Sequence, residues 1–166
     1  MNLLINLKKR KIDYLNKYNL IFLIIVIITF SLDRISKLKI INNLNQNPYF
    51  INDFINFDLI WNIGIGFGLL STSSPILYEI MTLVIGVVIL ILIYISITSE
   101  KFDKYTFAIV IGGALGNFYD RLVFKAVPDF IDLHYANFHW FTFNVADIFI
   151  SVGIIFFIMK GYFVKN

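Results

Sequence analysis

Hydrophobic residues are concentrated in four long stretches of the chain, which are separated by segments rich in polar and charged residues. A helix that crosses the hydrocarbon core of a bilayer needs about 20 mostly apolar residues. The uncharged part of the first stretch ends at Leu32, so its helix must continue through Asp33 and Lys37 to reach that length. The pattern predicts an all-α polytopic membrane protein, a single membrane domain over residues 1–166 with transmembrane helices at residues 18–41, 75–98, 105–123 and 144–162.

Two intervening segments, residues 42–74 and 124–143, are too long to be simple connections. Residues 54–61 of the first are aromatic and β-branched, which is typical of strands, so a small β-rich segment is predicted at the outer membrane surface. Gly64, Gly66 and Gly68 follow it, and glycine allows close backbone approach. The second segment is rich in aromatic residues and is predicted to form an interfacial loop at the level of the lipid headgroups.

The composition supports a membrane location. Hydrophobic residues make up 58% of the chain and charged residues 15%, whereas an ordinary soluble domain is about a quarter charged. The apolar content and the net charge of only +3 also exclude a disordered chain. Because there is no cysteine, a disulfide framework, a thiolate metal site and a cysteine nucleophile are excluded.

The basic residues predict the orientation. Nine of the fourteen Lys and Arg residues fall on one side of the four-helix arrangement, which the positive-inside rule makes cytoplasmic, together with both termini. The basic start could instead belong to a cleavable signal peptide, but residues 30–37 offer no small-x-small cleavage site, so a retained helix is expected. The nine residues are Lys8, Lys9, Arg10, Lys11, Lys17, Lys101, Lys104, Lys160 and Lys165.

The acids outside the cytoplasmic segments are predicted to lie at or beyond the outer boundary of the hydrocarbon. Ionisable groups at that depth are costly and usually mark function. A small transporter or channel would carry them at the bilayer midplane, so their position disfavours that class. A non-enzymatic assembly or chaperone subunit, with the acids as structural pairs, is the other alternative. The acids nearest the boundary are Asp33, Glu79, Asp120, Asp129, Asp132 and Asp147.

One face of the third predicted helix carries Asn117, Asp120 and Arg121. This face either lines a functional site or forms a structural charge cluster, and the pattern leaves both interpretations open. Gly112 and Gly116 have the small-xxx-small spacing that lets another helix approach closely, which favours a packing role for both.

Asn144 and Asp147 have the spacing of a capping box at the start of the fourth helix. Taken alone, this favours a capping role for Asp147, although the same arrangement would hold a general base in a fixed pose. Asp129 has no such role, and its apolar neighbours Val127 and Phe130 would raise its pKa by desolvation. Two carboxylates in different environments are an arrangement that activates water against a peptide carbonyl.

His134 and His139 could form a metal site with Asp132. Two histidines in an aromatic surface loop are more often interfacial hydrogen-bonding residues, so neither a metal nor a cofactor is expected.

Several motifs together resemble the lipoprotein signal peptidase (signal peptidase II) family over nearly everything after residue 18. They occur in the family's order and at matching depths, which makes the resemblance specific. Gly66 stands where the family often has Ala, Arg34 where Gln is common, and Phe141 where Pro is frequent; no carboxylate is lost. The motifs are Asp33–Lys37, Asn62–Gly68, Gly112–Arg121, Val127–Asp132 and Phe143–Asp147.

The resemblance implies an intramembrane aspartic protease of the bacterial cytoplasmic membrane, with its active site near the outer face. Such an enzyme removes signal peptides from diacylglyceryl-modified prolipoproteins, cutting before the lipidated cysteine. Its partners would be these substrates and membrane lipids, not nucleic acid, and the chain is expected to be monomeric. By resemblance the catalytic pair is Asp129 and Asp147, the residues that bind substrate or order the site are Asn62, Gly64, Asn117, Arg121 and Asn144, and the supporting residues are Asp33, Lys37, Gly116 and Asp120.

Overall fold

The computed structural model describes residues 16–44, 48–64, 74–99, 101–136 and 138–163. Within these ranges four helices are each long and apolar enough to cross a membrane, as predicted. They are α1 (Lys17–Asn43), α2 (Pro75–Thr98), α3 (Lys101–Phe124) and α4 (Val145–Phe163). As expected, α1 continues past Asp33 and Lys37, and both side chains are fully buried.

The segments that connect α1 to α2 and α3 to α4 each supply two strands to one four-stranded antiparallel sheet, in the order β1–β2–β3–β4. The strands are β1 (Tyr49–Asn52), β2 (Ile55–Asn62), β3 (Val127–Tyr135) and β4 (Phe138–Phe143). β1 and β2 confirm the predicted β-rich segment. The prediction of an aromatic loop over residues 124–143 is wrong, because that segment forms the hairpin β3–β4. A lone β1–β2 hairpin would leave one edge of β2 unpaired, and β3 supplies the missing backbone partners.

The central helix is α3, which packs against each of the other three helices. Glycines allow the close approach. A Cβ on Gly112 would overlap Thr29 of α1, and one on Gly113 would lie 2.7 Å from the backbone oxygen of Ala146 in α4. The prediction that Gly112 lets another helix approach closely is confirmed.

Replacement of Gly116 by alanine is expected to destabilise the fold. A Cβ there would overlap the carboxylate of Asp33, with its Cγ 3.0 Å away, and Asp33 is too deeply buried to turn away. Overpacking of this kind costs about 1–3 kcal/mol, so the melting temperature in detergent should fall. Gly161→Ala is the matched control, because a Cβ at Gly161 meets nothing within 4 Å. Equal melting temperatures for the two variants would contradict this packing.

The side-chain distribution is the reverse of that in a soluble protein. Large apolar side chains cover the helix exteriors; Leu83, Leu90 and Ile158 are each 67% exposed. Polar and charged side chains are buried among the helices and the sheet, where they satisfy one another instead of facing lipid. The buried set includes Asp33, Lys37, Asn62, Asn117, Asp120, Arg121, Asp129 and Asn144.

Candidate active site

The two aspartates expected to act as a pair lie where the sheet meets the helices. Asp129 is the third residue of β3, and Asp147 is the third residue of α4. The β3–β4 hairpin connects them: Ile131 pairs with Phe143, so β4 returns Asn144 and the start of α4 to the neighbourhood of Asp129. Asp129 is only 3% exposed, and Asp147 is partly buried.

Asn144 contacts both carboxylates. Its side-chain oxygen accepts the backbone N–H of Asp147 at 3.1 Å, and its own backbone N–H donates to Oδ2 of Asp147 at 3.2 Å. This reciprocal pair is the predicted capping box. The same side chain donates through Nδ2 to Oδ1 of Asp129 at 2.5 Å. One residue therefore caps α4 and links the two aspartates.

Further amide groups complete the surroundings of each carboxylate. Asn62 Nδ2 donates to Oδ2 of Asp129, and Asn117 Nδ2 donates to Oδ1 of Asp147, both at 2.8 Å. Asn62 is held in turn, because its Oδ1 accepts the backbone N–H of Gly64 at 2.7 Å. Among the described residues, neither aspartate has a lysine or arginine within ion-pair distance. The donors are neutral, so they fix the carboxylates without a direct counter-ion.

The environment of Asp129 favours its protonated form. Burial, followed by repulsion from the Asp147 carboxylate, raises the pKa of Asp129 from 3.8 to about 6, against the opposing hydrogen bonds from Asn62 and Asn144. Two close carboxylates resist simultaneous ionisation. The pair is therefore suited to hold one proton up to about pH 6, well above the range of an ordinary carboxyl group.

This raised pKa makes a prediction about stability. Because folding makes the Asp129 carboxyl harder to ionise, its contribution to stability is full below about pH 4 and is lost as the pH rises through about 6. The change amounts to at most about 3 kcal/mol. Between these pH values, unfolding in detergent should show a larger loss of stability for the wild-type protein than for Asp129→Asn. Parallel pH profiles would contradict the raised pKa.

A buried group of charges supports the pair from α1 and α3. Nζ of Lys37 donates to Oδ2 of Asp33 and Oδ2 of Asp120, each at 2.8 Å, and to Oδ1 of Asn117 at 2.7 Å. All three ammonium protons thus have acceptors. Because Lys37 occupies the carbonyl oxygen of Asn117, the amide nitrogen of that residue faces Asp147.

Arg121 connects α3 to the segment that follows β2. Its guanidinium donates to the backbone oxygen of Asn117 at 3.1 Å and to that of Gly64 at 3.0 Å. The two contacts tie Gly64, and with it Asn62, to the helix that carries Asn117. The rest of the glycine motif, residues 65–68, lies outside the described residues.

Two contacts of the charged group have no clear signal in the sequence. Oδ1 of Asp33 accepts the backbone N–H of Ala146 at 3.0 Å and so adds a second cap to α4. Arg34 pairs with Asp120 at 2.6 Å and lies 4.9 Å from the ring centroid of Tyr119. In the sequence Arg34 is noticeable only because the family commonly has Gln there. No sequence pattern indicates that the Arg34 side chain contacts Asp120.

Contacts join every predicted site residue into one network. Two other acids at the same predicted depth stay outside it: Asp132 contacts His134 and His139, and Glu79 is exposed. The members of the network are Asp33, Lys37, Asn62, Gly64, Gly116, Asn117, Asp120, Arg121, Asp129, Asn144 and Asp147.

A largely apolar cavity of about 240 Å³ opens beside Asp147. The walls come from β3, β4 and α4, and Asp147 is the charged residue among them. The other lining residues are Leu133, Phe141, Phe143, Ile148, Ser151 and Val152. The site thus offers a carboxyl group next to a space that accepts apolar atoms.

Comparison with known proteins gives a consistent result. A family model described as signal peptidase (SPase) II matches residues 25–163. The lipoprotein signal peptidase of Pelagibacter ubique (strain HTCC1062) is 43% identical over 159 residues, which cover 92% of this chain and 96% of that protein. The lipoprotein signal peptidase of Polynucleobacter necessarius subsp. necessarius (strain STIR1) is 39% identical over 136 residues, which cover 80% and 83%. A solved structure of a bacterial membrane enzyme matches with a TM-score of 0.71 and 27% identity, covering 87% of this chain and 89% of that one.

Proposed function

This chain belongs to the lipoprotein signal peptidase family, whose members cleave the signal peptides of lipoproteins, and from that premise we propose that it is a membrane-embedded aspartic endopeptidase. Its substrates are diacylglyceryl-modified prolipoproteins, and it cuts before the lipidated cysteine. Asp129 and Asp147 are the catalytic pair. The observation that carries this proposal is the link through Asn144, whose side-chain amide donates to the Asp129 carboxylate and whose backbone N–H donates to that of Asp147. No lysine or arginine of the described chain pairs with either carboxylate.

The reaction follows from a pair that carries one proton. The ionised aspartate takes a proton from a water molecule as its oxygen attacks the scissile carbonyl. The protonated aspartate donates a hydrogen bond to the carbonyl oxygen, which stabilises the tetrahedral intermediate. When the carbon–nitrogen bond breaks, the leaving amine takes a proton from the pair, and the pair again holds one proton. No covalent enzyme intermediate forms.

The surrounding amides hold the pair in this geometry. Asn62, Asn117 and Asn144 keep the carboxylates fixed, so less reorganisation is needed as charge moves during the reaction. Arg121 holds Gly64, whose backbone N–H in turn holds the side chain of Asn62 beside Asp129. Asp33, Lys37, Asp120 and Gly116 support α3 and the start of α4 behind it.

The cavity beside Asp147 suits a lipid-modified peptide. Its apolar walls would accept an apolar side chain or the start of an acyl chain while the scissile bond faces the carboxylates. All of the proposed catalytic groups come from one chain, which agrees with a monomeric enzyme surrounded by membrane lipids.

The charge distribution supports an outward-facing site in a multi-pass bacterial membrane protein. The helix ends remote from the sheet carry Lys17, Lys101, Lys104 and Lys160, and Lys160 pairs there with Asp103 at 2.6 Å. The positive-inside rule makes that end cytoplasmic. The aspartate pair, at the opposite end, then lies near the outer face, where a diacylglyceryl group anchors its cysteine.

A direct test compares two forms of one substrate. Purified protein in detergent is incubated with a prolipoprotein that carries or lacks the diacylglyceryl group, and the products are identified by mass spectrometry. We expect release of the signal peptide from the lipidated form only, with the lipidated cysteine as the new N-terminus. Equal cleavage of both forms, or cleavage elsewhere, would contradict the substrate assignment.

A further inference from the structure

Three side chains outside the aspartate pair meet on the β3–β4 hairpin. Asp132 and His134 lie two residues apart on β3, and His139 on β4 pairs with His134. Nδ1 of His139 is 2.7 Å and Nδ1 of His134 is 3.6 Å from Oδ2 of Asp132. The two rings stack with centroids 5.4 Å apart, and one potential ligand atom from each of the three residues lies within 4.8 Å of the others.

A break in the strand register produces this arrangement. Leu133 pairs with Phe141, but the next residue, His134, pairs with His139, so Trp140 is left between the pairs. A bulge of this kind redirects side chains, and bulges often occur where a site requires it. Without the shift, Trp140 would oppose His134.

One buried nitrogen at this position has no hydrogen-bond partner among the described residues, and one buried carboxylate has no lysine or arginine beside it. The His134 side chain is 7% exposed, and its Nδ1 has no hydrogen-bond partner among the described residues. Asp132 is 4% exposed, and its ion-pair partners in the described chain are only the two histidines. A buried polar nitrogen without a partner is costly, and so is a buried carboxylate without a fixed cation.

We propose that Asp132, His134 and His139 form a binding site for a divalent metal ion of the zinc class. Two imidazoles and a carboxylate suit Zn²⁺ among the borderline metals. Three protein ligands leave one position of a four-coordinate zinc ion for water, on the side where the His139 side chain is 60% exposed. The sequence alone favours an interfacial hydrogen-bonding role for these histidines; the register shift and the unpartnered nitrogen favour the metal.

Binding requires only local changes. His139 donates to the Asp132 carboxylate through Nδ1 in the metal-free form, so on metal binding its proton moves to Nε2 and Nδ1 becomes a ligand. His134 binds through its unpartnered Nδ1. The Nδ1–Oδ2 distance of 2.7 Å between His139 and Asp132 must widen to about 3.3 Å, the spacing of two ligands around a tetrahedral zinc ion. The exposed His139 side chain can make that movement.

The ion would act on the hairpin and not on the scissile bond. It ties β4 to β3 within the segment that joins Asp129 to Asn144, so it restricts the relative motion of these two residues. This role is independent of the proposed peptidase chemistry.

Metal content and thermal stability test the site without reference to activity. Full-length protein is purified without a polyhistidine tag, treated with chelator, dialysed, and titrated with ZnCl₂. We expect one zinc ion per chain by elemental analysis. When the free zinc concentration is a hundred times the dissociation constant, the melting temperature should be higher than that of the metal-free protein by about 5 °C or more. Absence of bound zinc, or an unchanged melting temperature, would overturn the proposal.

Three variants locate the ion. His139→Gln removes an exposed ligand with little risk to folding, and it should lose the zinc and the temperature shift; His134→Gln should behave the same way. Asp53→Asn, on the exposed turn between β1 and β2, is the matched control and should retain both. Asp129→Asn should also retain the zinc, which separates this site from the aspartate pair. Retention in His139→Gln, or loss in Asp129→Asn, would place the ion elsewhere and refute the assignment.

Discussion

Asp147→Asn is expected to abolish release of the signal peptide while leaving the protein folded. The substitution removes one of the two carboxylates that we propose share a proton, so the remaining aspartate cannot act as both base and acid. Loss of a general acid–base group that works as part of a unit lowers kcat by at least about 10³-fold. The measurement is the rate of signal-peptide release by purified protein at saturating lipidated substrate.

The fold should survive because the side-chain oxygen of the new asparagine can still accept the backbone N–H of Asn144, while the backbone N–H of residue 147 still donates to the Asn144 side chain, so both halves of the capping box remain. The variant loses at most the hydrogen bond from Asn117, because the amide nitrogen of the new asparagine cannot accept it as the carboxylate oxygen of Asp147 does. This costs about 1 kcal/mol and should lower the melting temperature only slightly. Asp53→Asn, a substitution of the same kind on an exposed turn, should keep full activity. Substantial turnover by Asp147→Asn would remove Asp147 from the catalytic pair.

Lys37→Met should have the largest effect on stability. Methionine nearly fills the volume of lysine but leaves Asp33 and Asp120 buried without the ammonium group that contacts both. Breaking a buried ion pair by removing one partner costs about 3–5 kcal/mol. The melting temperature in detergent should therefore fall sharply. The fraction that remains folded should show a lower kcat with little change in KM, because the amide of Asn117 is no longer fixed toward Asp147.

Lys39→Met is the matched control, two residues further along α1, where the side chain is exposed. It should leave both the melting temperature and kcat unchanged. Lys37→Arg keeps the positive charge and should recover part of the stability. If Lys37→Met were as stable and as active as Lys39→Met, neither the buried ion pairs nor the orientation of Asn117 would matter to the enzyme.

Local signals in the sequence were sufficient for some elements. Four apolar stretches of membrane length predict the helices because length and hydropathy are properties of a continuous segment. The capping box of Asn144 and Asp147 is also local, since the two residues are three positions apart. The close approach at Gly112 follows from spacing along one helix.

Long-range contacts explain what the sequence did not reveal. β3 forms because β2, far away along the chain, offers it an unpaired edge, and the sequence of β3 has no clean alternation to indicate a strand. Lys37 and Asn117 are 80 residues apart, and their contact sets the direction of an amide that no pattern can predict. The bridge from Asn144 to Asp129 depends on the same hairpin. The sequence therefore indicated which residues lie together at the candidate site more clearly than how they contact one another.

The central claim is that Asp129 and Asp147 act as one proton-sharing unit, and a double-variant cycle on signal-peptide release tests it most directly. The rates of the wild-type protein, Asp129→Asn, Asp147→Asn and the double variant are measured on one lipidated prolipoprotein, with folding checked for each. Groups that act as a unit give non-additive losses, so each single variant should be as inactive as the double variant. Turnover retained by either single variant, or a double variant that is slower by the product of the two single losses, would contradict the claim.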